Sequence, residues 1–206
     1  MIPSPSQSDR AIELLQSRPL LRLKDLAAAG IAGETVARLV RNGRIVRATR
    51  GLYQLAEFDA DARHTLAEAA VLVPRGVVCL ISALQFHELT LQTPSAVWMA
   101  IDRTAWKPTI EYPLIRFVRF GGRLLTEGIE RHRIEAVDVP VFNPVKTVID
   151  CFRYRNKIGL DVALEGLREG LRGRRFTPAQ LWTSAREAQA WTAMRPYVEA
   201  MAADRV

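Results

Sequence analysis

The spacing of apolar residues changes period several times along the chain. Residues 1–7 show no period and read as an irregular lead. From Ser8 the period is helical: Ser8 can cap a first helix, Asp9 stands in its first turn, and Ile12, Leu14 and Leu15 share one side. Arg18-Pro19 ends that helix, because proline disfavours helix in the residue before it. A second helix is expected over 23–29 with Gly30 as a left-handed cap, and a third over 34–42, stopped by Gly43. The period then shortens to two. Residues 45–48 and 52–55 read as paired strands joined near Thr49-Arg50-Gly51.

Beyond this point the pattern mixes both periods. An alanine-rich helix is expected over 59–72, with Leu66, Ala70 and Val71 inward. Residues 77–81 form a short, fully apolar run of strand character, and Ser82 can cap a helix reaching Leu89. Strands follow over 96–101 and 114–120, where Ile115 and Phe117 alternate with arginines, and one or two more over 131–141. From Asn143 the period is helical: 144–154, 160–171, 178–190 and 194–201. Asn143-Pro144 and Thr177-Pro178 both place a capping residue before a proline at the first helical position. The fold class expected is α+β: a winged helix-turn-helix over residues 1–57, then a mixed α/β domain with a helical C-terminal tail over 58–206, the boundary lying near 57–61.

A chain of 206 residues suits one large domain or two small ones, and an apolar content of 49% supports a packed core rather than disorder. The net charge of +7 favours an anionic partner. That charge is unevenly spread: nine Lys/Arg against five Asp/Glu leave +4 in residues 1–57, and twenty against seventeen leave +3 in the much longer remainder. Cys79 and Cys151 sit among apolar neighbours without a short spacing, which predicts buried, reduced thiols in a cytosolic protein. The first residues lack a basic stretch followed by an apolar run, so no signal peptide is expected. No apolar run approaches the ~18 residues of a membrane span. A soluble, cytoplasmic protein without a membrane partner is expected.

The sharpest local signal is a series of five arginines at every third position: Arg38, Arg41, Arg44, Arg47 and Arg50. The only acid from Glu34 to Leu55 is Glu34 itself. In a helix-turn-helix the second helix of the pair enters the major groove, and here that helix is the one over 34–42. Val36, Leu39 and Val40 fall at packing positions, leaving Thr35, Arg38, Arg41 and Asn42 outward. Arginine pairs bidentately with guanine edges and asparagine with adenine; a threonine can meet a phosphate or a thymine methyl. Arg44, Arg47 and Arg50 belong to the hairpin, where they would contact phosphate or reach a minor groove, positioning rather than specifying. The DNA-binding set is thus Thr35, Arg38, Arg41, Asn42, Arg44, Arg47 and Arg50. Gly51 permits the hairpin turn, and Tyr53 is expected to pack the hairpin onto the helices.

The second half offers no comparable constellation. His64, His87 and His132 lack metal-ligand spacing, and Gly121-Gly122 is not followed by the lysine of a phosphate loop. His87 is expected to be partly buried and hydrogen-bonded. Lys146 and Asp150, at i and i+4, read as a surface ion pair and do not by themselves make a nuclease site. No metal, no cofactor and no catalytic residue is expected, and the chain is not read as an enzyme. The tryptophans Trp98, Trp106, Trp182 and Trp191 are read as core residues, with Trp106, in a loop beside Lys107 and Pro108, the one placed for exposure. Arg168, Arg172, Arg174 and Arg175 read as a solvated helix end, or alternatively as a second contact to DNA or to a protein partner.

Three runs in the first 57 residues resemble a known family: Asp25-Leu26-Ala27-Ala28-Ala29-Gly30-Ile31, Val40-Arg41-Asn42-Gly43-Arg44-Ile45-Val46-Arg47, and Arg50-Gly51-Leu52-Tyr53-Gln54-Leu55. They look like the winged helix of the AbiE-type antitoxins, abortive-infection proteins of bacterial type IV toxin–antitoxin systems. Two later runs are similar to segments of the same family: Ser82-Ala83-Leu84-Gln85-Phe86-His87-Glu88-Leu89-Thr90, and Asn143-Pro144-Val145-Lys146-Thr147-Val148-Ile149-Asp150-Cys151-Phe152. The resemblance implies a repressor that binds double-stranded DNA at repeats in the promoter of its own operon. It also implies an antitoxin counteracting a nucleotidyltransferase-like toxin encoded alongside, without a stable complex as the mechanism. The chain departs from the family in one respect: the usual polar cap before the recognition helix is replaced by Ala32-Gly33. A ligand-responsive winged-helix regulator with a sensor domain and no toxin partner is the alternative.

Overall fold

The structure, a computed structural model, describes residues 5–57 and 63–203. It divides into two compact units. The first comprises Met1–Arg75, Pro108–Leu114 and His132–Val139; the second comprises Gly76–Lys107, Ile115–Arg131 and Pro140–Val206.

The first unit opens with helix α1, Gln7–Ser17. Its cap is Ser6, not Ser8. The Asp9 amide donates to Ser6 Oγ (3.2 Å), and the Asp9 carboxylate accepts from the Ser6 amide (3.1 Å) and hydroxyl (2.7 Å). The reason is reciprocity. Starting from Ser6 puts an acid three residues on, which can reach back; starting from Ser8 would put Ala11 there, which cannot. These bonds hold the Asp9 carboxyl below its ordinary 3.8. A depressed carboxyl contributes stability that is present above the ordinary value and lost as pH falls through the lowered one. The helix start should therefore loosen only in strong acid, and Ser6→Ala should cost ~1 kcal/mol at neutral pH, read as a shifted urea midpoint.

Strand β1, Leu21–Arg22, runs straight into helix α2, Leu23–Ala28, which ends before Gly30 at φ 76°. Helix α3 follows over Gly33–Arg41, with Asn42 closing it and Gly43 at φ 65° turning the chain away. Strands β2, Ile45–Thr49, and β3, Leu52–Leu55, complete an antiparallel sheet in the order β1-β3-β2. The strand β1 was not predicted: two residues are too few to carry an alternation. Ala11, Leu15, Leu21, Leu26, Ile31, Val36, Leu39 and Ile45 form one buried cluster, with Tyr53 packed against it. Helix α4, His64–Leu72, buries Ala67, Glu68, Ala69 and Ala70, while Leu66 and Val71 are half-buried. Residues 59–62 of the helix expected there lie outside the described residues.

The expected strand over 77–81 is cut to β4, Val77–Val78, because Cys79 already caps helix α5, Leu80–Phe86. Ser82 is therefore not a cap. It is buried inside α5, and its Oγ accepts the Trp98 amide (3.0 Å), tying the helix to strand β5, Val97–Asp102. Strand β6, Ile115–Phe120, runs parallel to β5. Its deeply buried side chains are Val118 and Phe120, whereas Ile115 and Phe117 on the other face are only half-buried. After the short helix α6, Arg123–Thr126, strands β7, Ile129–Ile134, and β8, Val137–Phe142, complete a five-stranded sheet in the order β6-β5-β4-β8-β7.

The tail is helical, as the sequence predicts: α7 Pro144–Arg153, α8 Arg155–Ile158, α9 Leu160–Arg172, α10 Pro178–Glu187 and α11 Trp191–Ala203. Asn143 accepts the Lys146 amide (2.9 Å) and Thr177 forms a capping box with Gln180, so both expected caps operate. The core of this unit gathers Leu84, Phe142, Phe152, Val162 and Leu167. Cys79 and Cys151 lie within it, fully buried, and burial pushes both thiols up. His87 is buried too, its Nε2–H donating to the Phe142 carbonyl (2.7 Å).

Lys146 and Asp150 are not a surface pair. Asp150 is 1% and Lys146 13% exposed, and Lys146 Nζ lies 2.7 Å from Asp150 Oδ2. Helix α7 buries every residue from Thr147 to Phe152, so nearly its whole circumference is covered. The Lys146 ammonium also stands 4.2 Å from the Phe142 ring centroid and 5.2 Å from that of Phe120. Among the tryptophans, Trp98 is buried and Trp191 half-buried. Trp182 is partly open, with the Arg186 guanidinium 4.8 Å over its ring. Among the described residues no helix is long and apolar enough to cross a membrane.

Candidate nucleic-acid interface

Helix α3 and the β2–β3 hairpin bring the arginine series onto one run of exposed backbone. The buried side of α3 consists of Val36, Leu39 and Thr35. Arg38, Arg41 and Asn42 are exposed, as are Arg44, Arg47 and Arg50. Arg38 and Arg41 fall one turn apart and share a helix face. Arg44 follows Gly43, its amide donating back to the Leu39 carbonyl (3.0 Å), so the helix end fixes where the hairpin starts. Arg47 sits beside an irregularity in the β2–β3 register, its Nε–H donating to the Thr49 carbonyl (3.3 Å). Arg50 occupies the turn that Gly51 permits at φ 76°.

Thr35 departs from its expected place. It is 7% exposed, and its hydroxyl donates to Gln7 Oε1 (3.0 Å). The same oxygen accepts the Ala32 amide (3.0 Å). Ala32 is the cap of α3 and offers no side-chain oxygen of its own. Gln7, the first residue of α1, therefore satisfies the start of α3 from outside it, which draws Thr35 inward. The oxygen does for Ala32 what the third-residue Glu or Gln of a capping box does for its own cap. Sequence reading missed Gln7 because nothing local marks a cap supplied from 25 residues away. Ser8 has a related part: its hydroxyl accepts from Arg38 Nη2 (3.1 Å) and so aims one guanidinium of the series.

The second basic run is more heavily paired. Arg172 bonds Glu169, and Arg175 lies 3.0 Å from Glu88. Arg174 is exposed at φ 52°. Among the described residues no group of three or more His, Cys, Asp or Glu is placed to hold a metal ion.

A known family matches most of the span from α1 to the end of β3. Residues 9–56 match the AbiEi antitoxin family of transcriptional regulators. The matched segment holds all five arginines of the series and closes one residue after β3. No curated protein matches the chain. Among solved structures, the crystal structure of the RV2827C protein from Mycobacterium tuberculosis is similar, with a TM-score of 0.50 at 15% identity over 89% of this chain and 76% of that one. At that identity the likeness is one of fold. It agrees with a mixed α+β chain that has helices and a sheet at the N-terminus and a helical tail.

Proposed function

We propose that the chain is an antitoxin of a type IV toxin–antitoxin system that represses its own operon, with residues 1–57 a winged helix-turn-helix that binds double-stranded DNA and residues 58–206 the neutralising part. One observation carries this reading: the segment that matches the AbiEi model presents five exposed arginines and Asn42 along one helix and the hairpin that follows it. In the proposed complex α3 lies in the major groove. Arg38 and Arg41 pair with guanine edges, and Asn42 with an adenine. Arg44, Arg47 and Arg50 bond phosphates or enter the neighbouring minor groove, which sets register. Thr35 has no part in the contact, since its hydroxyl is engaged inside the first unit.

The test is fluorescence anisotropy with the DNA immediately upstream of the gene against scrambled DNA over a salt series. Affinity roughly 10³-fold or more tighter for the upstream DNA is the range of a specific regulator. A log–log salt slope of about −0.9 per phosphate contact should accompany it. Equal affinity for both DNAs would sink the repressor reading. The antitoxin half is tested separately, by co-expression with the neighbouring nucleotidyltransferase-like gene: growth restored without a stable complex is the expected result.

A further inference from the structure

A second feature with no assigned part lies wholly within the second unit. Trp106 is 87% exposed, yet the loop that carries it is tightly fastened. At the end of β5, Asp102 Oδ1 accepts from the Thr104 amide (2.8 Å) and hydroxyl (2.6 Å). The Ala105 amide donates to the Asp102 carbonyl (3.2 Å). From the neighbouring strand β6, Arg119 Nη1 donates to the carbonyls of Asp102 (3.2 Å), Arg103 (2.5 Å) and Ala105 (3.0 Å). Arg119 is itself anchored, its carbonyl accepting from the Tyr154 hydroxyl (3.2 Å). A guanidinium gathering three carbonyls fixes the path of residues 102–105, and so fixes the root of an indole that stands in solvent.

Basic residues flank that indole in the chain. Arg103, Lys107 and Arg119 are exposed, and the acid beside them, Asp102, is already engaged by Thr104. Arg103 runs along the glycine after β6: a Cβ at Gly121 would come within 3.1 Å of Arg103 Cδ, so the missing side chain leaves it room. Lys107 Nζ lies 5.9 Å from the Phe117 ring centroid, on a half-buried aromatic rather than against an acid. An exposed aromatic on a fastened loop, with exposed cations at Arg103 and Lys107 on either side of it in sequence, is complementary to a base flanked by phosphates. Bases within a duplex are covered on both faces by their neighbours, whereas an unpaired base offers an open face to an indole.

We propose that this loop is a single-stranded nucleic-acid contact: Trp106 stacks on an unpaired base while Arg103 and Lys107 hold the adjacent phosphates. The contact is separate from the duplex contact of α3 and does not depend on it. Its probe is an oligodeoxythymidylate of about ten nucleotides, within the span one small binding fold covers. A fluorescein-labelled oligomer is titrated with the full chain, its anisotropy giving the affinity of the parent and of every variant, and tryptophan emission is read alongside in the parent. Quenching on binding is expected, and Trp106→Ala should weaken binding roughly 5- to 150-fold, the effect of losing one base stack. Trp106→Phe, which keeps a ring, should retain most of the affinity. Arg103→Ala and Lys107→Ala should each flatten the log–log salt slope by about 0.7. Upstream duplex affinity should be unchanged by Trp106→Ala, and oligomer affinity unchanged by Arg38→Ala. Unaltered oligomer affinity in Trp106→Ala would overturn the proposal. So would polyglutamate quenching Trp106 as strongly as the oligomer, which would make the surface a site for an acidic protein.

Discussion

Replacing Lys146 by methionine is expected to destabilise the chain by ~3–5 kcal/mol, the range for removing one partner of a buried ion pair. Methionine keeps the stem and the packing over Phe142 and Phe120 but leaves Asp150, 1% exposed, without its nearest cation. Arg153, 3.6 Å from the other carboxylate oxygen, remains and offsets only part of the loss. The double change Lys146→Met/Asp150→Leu should recover most of the loss, because an apolar pair needs no desolvation of charge. The pH dependence has a definite sign. Burial holds the Asp150 carboxyl above its ordinary 3.8 against the pull of Lys146 and Arg153. A raised carboxyl contributes stability that is complete below the ordinary value and lost as pH rises through the raised one. Without Lys146 the carboxyl rises further, so the deficit of Lys146→Met should be smallest in mild acid and grow towards neutrality. Urea unfolding at two pH values measures this. A single variant as stable as the parent at pH 7 would show that the pair contributes nothing.

In the first unit, Arg38→Ala and Arg41→Ala should each cost ~1–3 kcal/mol of binding to the upstream DNA and relax discrimination against altered base pairs. Hairpin substitutions should behave differently. Arg44→Ala, Arg47→Ala and Arg50→Ala should weaken binding to all sequences alike and lower the salt slope by about one each. The contrast separates reading from positioning within one series of arginines, by anisotropy on matched and mismatched duplexes. Because Arg38 and Arg41 are one turn apart, their double variant should deviate from the sum of the singles. If the α3 variants lost affinity equally for every duplex, α3 would be a phosphate contact and not a reader.

The parts of this fold that were legible in the sequence are those written locally. Asn143-Pro144 and Thr177-Pro178 announce α7 and α10 because cap and proline act within one turn. Gly30, Gly43 and Gly51 mark the breaks of the first unit because each takes a positive φ. What misled was context. Spacing at i and i+4 is the same on a covered helix as on an open one, so Lys146 and Asp150 read as surface residues. Ser82 has the chemistry of a cap, but its oxygen serves Trp98 on another element. The exposed arginines of α3 were visible from periodicity, whereas the inward turn of Thr35 depends on Gln7, far away in the chain.

That last dependence has an evolutionary reading. A helix that borrows its start from another element is released from keeping a starting residue of its own. Ala32 needs no side-chain oxygen at this position so long as the Gln7 oxygen stays in reach of its amide. A change at the glutamine at the head of α1 would therefore be felt at the threshold of α3, 25 residues away in the chain.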